Sequence, residues 1–360
     1  MTTATLTIDL TAIAANWQAL NKLTNCETAA VIKADAYGHG LLHTAQALKQ
    51  TDGYALLELD AAIELREAGY HHPILLLEGF FSTKELALFK QYQLSAVIHH
   101  NEQVAMLSAC KQPALDIFLK INTGMNRLGF SPEQFPAVFD KLTSNQTINK
   151  ITLMTHFANA DDTIGNQSFL KQFQCFNEIT SACNQPTSLA NSAAIIRHPE
   201  THADWVRPGI MLYGASPFTD KTASDLNLKP AMTLASSIIA MQHLKRGDSV
   251  GYGGVFKAEK SMKIGIVACG YADGYPRHAQ TNTPVLVNNQ RSRTLGLVSM
   301  DMLAIDLTEI ENAQLNSPVI LWGKGMPVEE IAFAANTISY ELLCALSPRV
   351  EKVVTNATAI

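Results

Sequence analysis

Residues 30–40 read Ala30-Val31-Ile32-Lys33-Ala34-Asp35-Ala36-Tyr37-Gly38-His39-Gly40. The segment begins within a short apolar run, residues 29–32, which is typical of a buried strand. Lys33 ends the run, and a turn with two glycines leads to a helical pattern over residues 41–49. An isolated lysine at such a place is usually solvated or paired with an acid. In a confined pocket, however, its amine becomes a nucleophile toward carbonyl groups.

Strand and helix patterns alternate over the first two hundred residues. Eight short apolar stretches predict strands, at residues 30–33, 54–58, 74–78, 96–99, 116–121, 151–156, 187–191 and 204–207. Helical patterns lie before and between them, at residues 11–23, 60–68, 82–91, 103–111, 132–142, 167–181 and 193–198. This alternation predicts an α/β fold, a (β/α)8 TIM-type barrel. A doubly wound open sheet is the alternative, but no GxGxxG motif follows the first strand.

Polar side chains stand at the ends of five of these predicted strands. They are Lys33, Lys120, His156, Asn191 and Arg207. Enzymes with this barrel keep their chemistry at the carboxyl ends of the strands. Each residue alone could be an ordinary buried polar group, but together they favour an active site.

The pattern changes after about residue 229. Short predicted strands with polar turns follow, at residues 232–244, 261–269, 283–287, 293–299, 304–307 and 317–321. Asn288-Asn289 suits a hairpin turn, and only residues 328–336 have a helical pattern. We therefore predict a barrel domain over residues 1–228 and a smaller, mostly β domain over residues 229–360. A strand at residues 4–10 is expected to join the second domain's sheet.

Composition limits the possible functions. The 360 residues are 47% apolar and 16% charged, as in a well-buried globular enzyme. A formal net charge of −5 without a basic run argues against nucleic acid or a membrane surface as partner. The six cysteines form no CxxC pair, which predicts free thiols in a reducing compartment, and no metal site is predicted. No signal peptide or bilayer-spanning run is evident, so we expect a cytoplasmic protein.

Residues 30–40 closely resemble the lysine motif of alanine racemases, in which the lysine forms a Schiff base with pyridoxal 5'-phosphate. Tyr37 stands where this family places a tyrosine that contacts the phosphate. Residues 120–130, Lys-Ile-Asn-Thr-Gly-Met-Asn-Arg-Leu-Gly-Phe, are similar to the family segment with an often carbamylated lysine and an arginine. The resemblance implies that Arg127 contacts the cofactor's phenolic oxygen and the substrate carboxylate. It also implies that Lys120, once carbamylated, orients Arg127.

Three more barrel segments are similar to family motifs, at residues 155–161, 190–194 and 207–214. They imply that His156 supports the catalytic hydrogen-bond network, with a purely structural histidine as the alternative. Asp161 is then expected near the substrate entrance. The resemblance also places Arg207 at the pyridine nitrogen. The expected phosphate ligands follow the seventh and eighth strands: Asn191 and Ser192 at a helix start, and the backbone amides of Gly209 and Ile210.

The second domain carries four further similar segments, at residues 249–254, 270–277, 298–301 and 338–341. They imply that Tyr252 is a catalytic tyrosine supplied across a dimer interface. Met300 is expected to give its backbone N–H to the substrate carboxylate, with Asp301 beside it. Tyr271 is expected to narrow the entrance, and Tyr340 to contact the phosphate. The chain departs from many members at Leu297, where an arginine is common, and at Ser299, where a cysteine is common.

The resemblance covers nearly the whole chain and implies a pyridoxal 5'-phosphate-dependent racemase for L- and D-alanine that supplies D-alanine for peptidoglycan. Inversion needs one base on each face of the α-carbon. Lys33 is expected to take the proton from D-alanine and Tyr252 of the partner subunit the proton from L-alanine, in a homodimer with shared sites. A racemase of broader specificity, a related barrel-type amino-acid decarboxylase and a non-enzymatic cofactor-binding barrel protein are the alternatives.

Overall fold

The computed structural model describes residues 4–110, 115–162 and 165–355. These residues form two compact units. The barrel unit comprises Trp17–Ala36 and Thr44–Leu212. The sheet unit comprises the chain up to Asn16, the short stretch Tyr37–His43, and the chain from Tyr213 onward. The predicted domain boundary between residues 228 and 229 stays a prediction.

Numbered along the chain, the strands of the described residues are β1 Thr5–Asp9, β2 Glu27–Val31, β3 Gly53–Leu56, β4 Ile74–Leu76, β5 Ser95–Ile98, β6 Leu115–Lys120, β7 Ile148–Met154, β8 Thr187–Asn191, β9 Trp205–Arg207, β10 Met232–Leu244, β11 Ser249–Val250, β12 Phe256–Lys257, β13 Met262–Val267, β14 Pro284–Val287, β15 Gln290–Leu295, β16 Leu303–Asp306, β17 Pro318–Trp322 and β18 Glu351–Thr355. The right-handed α-helices are Leu10–Asn21, Leu41–Ala47, Leu59–Glu67, Thr83–Gln91, Asn101–Ala109, Phe135–Thr143, Gln167–Thr180, Ser192–Arg197, Val328–Ala334 and Ser339–Cys344. Short 3-10 turns lie at Pro199–Thr201, Ile210–Tyr213, Ser224–Leu226, Tyr252–Gly254 and Tyr271–Asp273.

Strands β2 to β9 form a closed barrel in which each strand pairs in parallel with the next, and β9 pairs back to β2. This confirms the predicted (β/α)8 barrel. Most strand residues are buried, because helices cover parallel strands on their outer face. The predicted strands agree with the observed ones to within three residues at each end, and the strand at residues 187–191 agrees at both ends. The predicted helix at residues 103–111 ends at Lys111, which lies outside the described residues.

The turn after β2 differs from the prediction. The strand ends at Val31, and Lys33 begins a short helical segment, Lys33–Tyr37, whose last four residues are left-handed with φ between 51° and 54°. None of these four is a glycine, and each left-handed residue with a Cβ costs roughly 1–2 kcal/mol. Strain of this size is usually stored where a side chain must be held in one place. Here it follows directly on Lys33.

The sheet unit is built around the long strand β10. This strand pairs with β17 along its first half and with β13 along its second half, past a register shift between Ile238 and Ala240. The pairings β13–β16–β15–β14–β17–β10 therefore close into a ring. Strand β1 pairs with β10 and β18, so the expected strand at residues 4–10 does join this sheet.

The hairpin prediction is confirmed, because Val287 pairs with Gln290 and both intervening asparagines have positive φ. Positive φ at both central residues is the geometry of a type I′ turn. The strand predicted at residues 293–299 was wrong in its bounds. The observed strand, β15, starts directly after this turn at Gln290 and ends at Leu295.

The prediction of a single helix in this part was also wrong. A second one, Ser339–Cys344, has only six residues, too few to show a helical period in the sequence. The strands β11, β12 and β18 had not been predicted.

Two further expectations concern the whole described chain. All six cysteines are free, as the scattered spacing predicted. Within residues 4–110, 115–162 and 165–355, every helix is too short or too polar to traverse a lipid bilayer.

Candidate active site

The polar residues predicted at strand ends do share the carboxyl edge of the barrel. Lys120, Asn191 and Arg207 are the last residues of β6, β8 and β9. Lys33 and His156 lie two residues beyond the ends of β2 and β7. Because parallel strands in a barrel end at the same rim, one rim carries all five side chains.

Arg207 is the buried centre of this rim. Its Nη1 donates to Ser188 Oγ at 2.5 Å, and its Nη2 donates to the carbonyls of Thr155 at 2.8 Å and Leu189 at 3.2 Å. Burial lowers the pKa of the guanidinium, but its oxygen acceptors compensate for the lost water and it stays charged. The guanidinium ties β9 to β8 and to the segment after β7.

His156 lies against the same guanidinium. Its Nδ1 is 3.5 Å from Arg207 Nη2. A guanidinium can only donate, so Nδ1 accepts and the neutral ring carries its proton on Nε2. Burial lowers the pKa of His156 well below its usual value, and the cations Arg207 and Lys120 lower it further. The ring is therefore neutral and offers one N–H donor at Nε2.

His156 also lines a small pocket, whose other lining residues are Lys120, Ile121, Asn122, Thr123, Met125, Arg127, Leu128 and Thr155. Lys120 is only 6% exposed. Burial lowers its pKa to about 8, and Arg207 and Arg127 add to the effect. The carboxylate of Glu78, just beyond β4, opposes the shift. A fraction of Lys120 amines is thus neutral near physiological pH.

Ser192 and the segment after β9 form a second set of polar groups. Ser192 Oγ accepts the Gly209 N–H at 2.8 Å, and the 3-10 turn Ile210–Tyr213 follows. The side-chain oxygen of Asn191 has a different role. Its Oδ1 caps the helix Ser192–Arg197 by accepting the Ala194 N–H at 3.0 Å. A hydroxyl and backbone N–H groups at helix starts suit an anion such as phosphate.

Tyr37 and Tyr340 come together within the sheet unit. The ring of Tyr37 stacks on Tyr213 at 4.8 Å between centroids and lies 5.9 Å from Tyr340. Burial raises the pKa of the Tyr37 phenol, and Tyr340 and Cys344 raise it further. Tyr37 therefore keeps its proton and can act as a hydrogen-bond donor.

The other predicted residues of the sheet unit lie at its surface. Tyr252 is 71% exposed, in a turn where Gly251 and Gly253 both have positive φ. Met300 and Tyr271 are also exposed, and their two turns are hydrogen-bonded to each other, with Ala272 N donating to Met300 O at 2.9 Å. In the barrel unit, Asp161 is exposed and its carbonyl accepts from Arg197.

The sequence analysis missed three residues that interact with the predicted site residues. Glu78 ends a predicted strand, so the strand-end signal that identified Lys120 could have found it. Gln172 lies on the buried face of its helix between Phe169 and Phe176, and its Nε2 donates to the His156 carbonyl at 3.2 Å. A polar residue on an apolar helix face was the available signal. Arg349 binds Asp273 and Asp301 and has no signal in the sequence.

Comparison with known proteins gives a consistent result. A family model described as the N-terminal domain of alanine racemase matches residues 8–217, and one described as the C-terminal domain matches residues 231–354. The alanine racemase of Nitrosospira multiformis is 61% identical over 325 residues, covering 90% of this chain and 91% of the relative. That of Nitrosomonas eutropha is 57% identical over 352 residues, covering 96% and 97%. The crystal structure of biosynthetic alanine racemase from Pseudomonas aeruginosa has a TM-score of 0.96 at 42% identity and covers 99% of this chain and 100% of that one.

The state of His156 gives a first prediction. We expect its ring to stay neutral as the pH falls through about 6.5, the ordinary histidine pKa, because burial and the neighbouring cations disfavour the imidazolium. The unfolded chain takes up this proton and the folded chain does not, so the contribution of His156 lowers the free energy of unfolding as the pH falls below about 6.5. NMR of 13C-labelled histidine measures the ring directly, with His156→Gln identifying its signal. A titration midpoint at or above about 6.5 for that signal contradicts the assignment.

Proposed function

The chain belongs to the alanine racemase family and is an isomerase that interconverts L- and D-alanine; we propose that it does so with pyridoxal 5'-phosphate held at the carboxyl edge of its barrel. The observation that carries this proposal is the rim itself. It gathers the amines of Lys33 and Lys120 and the guanidinium groups of Arg127 and Arg207, whose charges act on one another. Such a rim suits a ligand with a phosphate and a substrate with a carboxylate.

The residues present fit this cofactor. Ser192 Oγ, which accepts the Gly209 N–H, can donate its own hydrogen to a phosphate, and the Ile210 backbone amide adds a second donor after the last barrel strand, as barrel geometry favours. The Gly209 N–H would serve the phosphate by exchanging Ser192 Oγ for a phosphate oxygen. The phenols of Tyr37 and Tyr340 add donors, and protonation of Tyr37 is secured by its burial. Asn191 contributes indirectly, by capping the helix that starts at Ser192. Arg207, whose guanidinium is held by protein acceptors, would present a fixed cation to the pyridine nitrogen of the cofactor.

Lys33 and Tyr252 divide the proton transfer. When bound, the cofactor withdraws electrons from the substrate's α-carbon and so acidifies its hydrogen. The Lys33 amine takes this hydrogen from D-alanine and returns one to the same face in the other direction. Tyr252 of the partner subunit serves the opposite face and takes the hydrogen from L-alanine. A phenol becomes a base near neutral pH only beside cations, and the Nε2–H of His156 with Arg207 behind it provides that environment.

Substrate orientation falls to Arg127 and Met300. The planar guanidinium of Arg127 binds the carboxylate in a bidentate manner, and the Met300 N–H adds a third bond. Lys120 supports Arg127: its lowered pKa leaves part of the amine neutral, and only a neutral amine reacts with carbon dioxide to form a carbamate. The resulting anion orients Arg127 and reduces the surplus of positive charge. Asp161 and Tyr271 lie nearer the entrance, and Asp301 supports Met300.

The active form in this proposal is a homodimer with shared sites. The exposure of Tyr252, at 71%, supports a role outside its own sheet unit. We place the enzyme in the cytoplasm, in keeping with its six free thiols. There it supplies D-alanine for peptidoglycan.

The cofactor assignment predicts a yellow protein whose colour depends on Lys33. Borohydride reduction followed by peptide mapping should place a pyridoxyl group on Lys33, because reduction fixes the lysine–cofactor bond. The Lys33→Ala variant, treated in the same way, should carry no stable label. Label on Lys120 or on any other lysine would refute the assignment.

The shared site predicts complementation between two inactive variants. Lys33→Ala chains mixed with Tyr252→Phe chains under subunit exchange should recover activity, because one of the two sites in each heterodimer has both bases. Each variant exchanged with itself is the control and should stay inactive. If heterodimers form, as shown by mass spectrometry, and activity never returns, Tyr252 does not act across an interface.

The stereochemical roles predict an asymmetric loss of exchange. Tyr252→Phe should slow racemisation in both directions by about 10²–10⁴, since each base is the acid of the other direction. In deuterated water the variant should still exchange the α-hydrogen of D-alanine through Lys33, while exchange into L-alanine collapses. Tyr92→Phe, directly after the barrel helix Thr83–Gln91 and outside all the motif segments, is the matched control. Equal loss of exchange from both enantiomers would show that Tyr252 is not the base for L-alanine.

A further inference from the structure

Two turns of the sheet unit pack backbone against backbone. One is the 3-10 turn Tyr271–Asp273, and the other contains Ser299, Met300 and Asp301. Tyr271 N donates to Ser299 O at 3.1 Å, and Ala272 N donates to Met300 O at 2.9 Å. A Cβ on Gly270 would lie 2.3 Å from the Ser299 and Met300 carbonyl oxygens, so only glycine permits this approach.

A single guanidinium holds both turns from the side. Arg349 Nε donates to Asp273 Oδ1 at 2.8 Å, and its Nη2 donates to Asp301 Oδ1 at 2.7 Å. The other oxygen of Asp273 accepts the Gly270 N–H at 2.9 Å, and the Asp273 carbonyl accepts the Ser347 N–H at 3.1 Å. Three segments that are distant in the chain thus meet at Arg349.

The two carboxylates differ in what they contribute. The Asp273 side chain is 3% exposed, so loss of its partner would leave a buried charge. The Asp301 side chain is 53% exposed, and an ion pair so open to water adds little to stability. The bond to Asp301 therefore matters for position: it fixes the residue that follows Met300. Among the described residues, no hydrogen bond occupies the Met300 N–H.

We propose that Arg349 is a positioning residue for the substrate carboxylate, which holds the Met300–Asp301 turn against the Tyr271–Asp273 turn so that the Met300 N–H keeps its place. The proposal rests on the proposed function, in which that N–H binds the carboxylate of alanine. Arginine is required because two separate donors of one rigid planar group must reach two carboxylates at once. A lysine ammonium is a point charge and cannot reproduce this spacing.

Asp301→Asn is the sharpest test, because it weakens only the bond next to Met300 and leaves the buried Asp273 paired. We expect the KM for alanine to rise by about tenfold, the effect of one charge-assisted hydrogen bond. The kcat should change little, since carboxylate binding is shared by the ground state and the transition state. Arg349→Lys should show the same split, and the double variant should add little to either single change.

Asp306→Asn is the matched control. Asp306 pairs with Arg293 at 3.1 Å in the same sheet unit, on strands β16 and β15, away from both turns. This variant should leave the KM unchanged. Hydrogen exchange of the peptide over residues 297–303 gives a readout that is independent of activity: exchange should be faster in Asp301→Asn than in the wild type and unchanged in Asp306→Asn.

The outcomes separate the two proposals. An active Asp301→Asn enzyme with unchanged KM would overturn the role of Arg349, whether or not the exchange of residues 297–303 changes. A fall in kcat at constant KM would overturn it as well. A wild-type chain that fails to bind pyridoxal 5'-phosphate, or that racemises alanine without it, would instead overturn the proposed function.

Discussion

Burial of one guanidinium constrains the whole carboxyl edge of the barrel. Arg207 has lost its water and must find acceptors in the protein, because an unpaired buried charge is very costly. It finds them in the Thr155 and Leu189 carbonyls and the Ser188 hydroxyl, so β9 is tied to β8 and to the segment after β7. The same guanidinium fixes the tautomer of His156. The direction of one N–H donor at the rim thus follows from how one buried charge is satisfied.

The electrostatics of the rim follow from the same burial. Each cation there lowers the pKa of the neighbouring Lys120 and His156, and Glu78 is the acid that opposes this at Lys120. Protein groups alone leave a surplus of positive charge at the edge. An anionic ligand, an anionic substrate or the proposed carbamate on Lys120 would each reduce that surplus. Binding and chemistry at this site are therefore coupled to how the positive charge is balanced.

Features that depend on local residue patterns were predicted from the sequence. Features that depend on contacts between residues distant in the chain were not. The eight barrel strands follow from apolar runs, and the polar residues at their ends follow from what ends those runs. Both were predicted.

The left-handed turn after Lys33 was not predicted, because alanine and tyrosine have no local preference for positive φ. Tyr340 was identified by its motif, but its six-residue helix is stabilised by packing and leaves no period to read. Arg349 meets partners that lie 76 and 48 residues away in the chain, and no local pattern reports such a contact. The roles of Lys33, Tyr252 and Met300 stay predictions, since contacts within one chain do not test them.

The charge of the rim also bears on which residue is the second base. Within the barrel unit the candidates are His156 and Lys120. The pKa of His156 lies so far below its usual value that the ring resists a proton, which makes it a poor base. Lys120, with a pKa lowered to about 8, accepts a proton more readily than His156. Two amines that exchange one proton, however, keep an additional positive charge among the arginines at all times.

An amine paired with a phenol carries one positive charge fewer than a pair of amines, since the phenol is neutral or anionic. The same cations that burden a second amine stabilise a phenolate. The electrostatics of the barrel therefore favour a tyrosine as partner to Lys33, and Tyr252 of the sheet unit, which we propose for this role, has an exposed phenol.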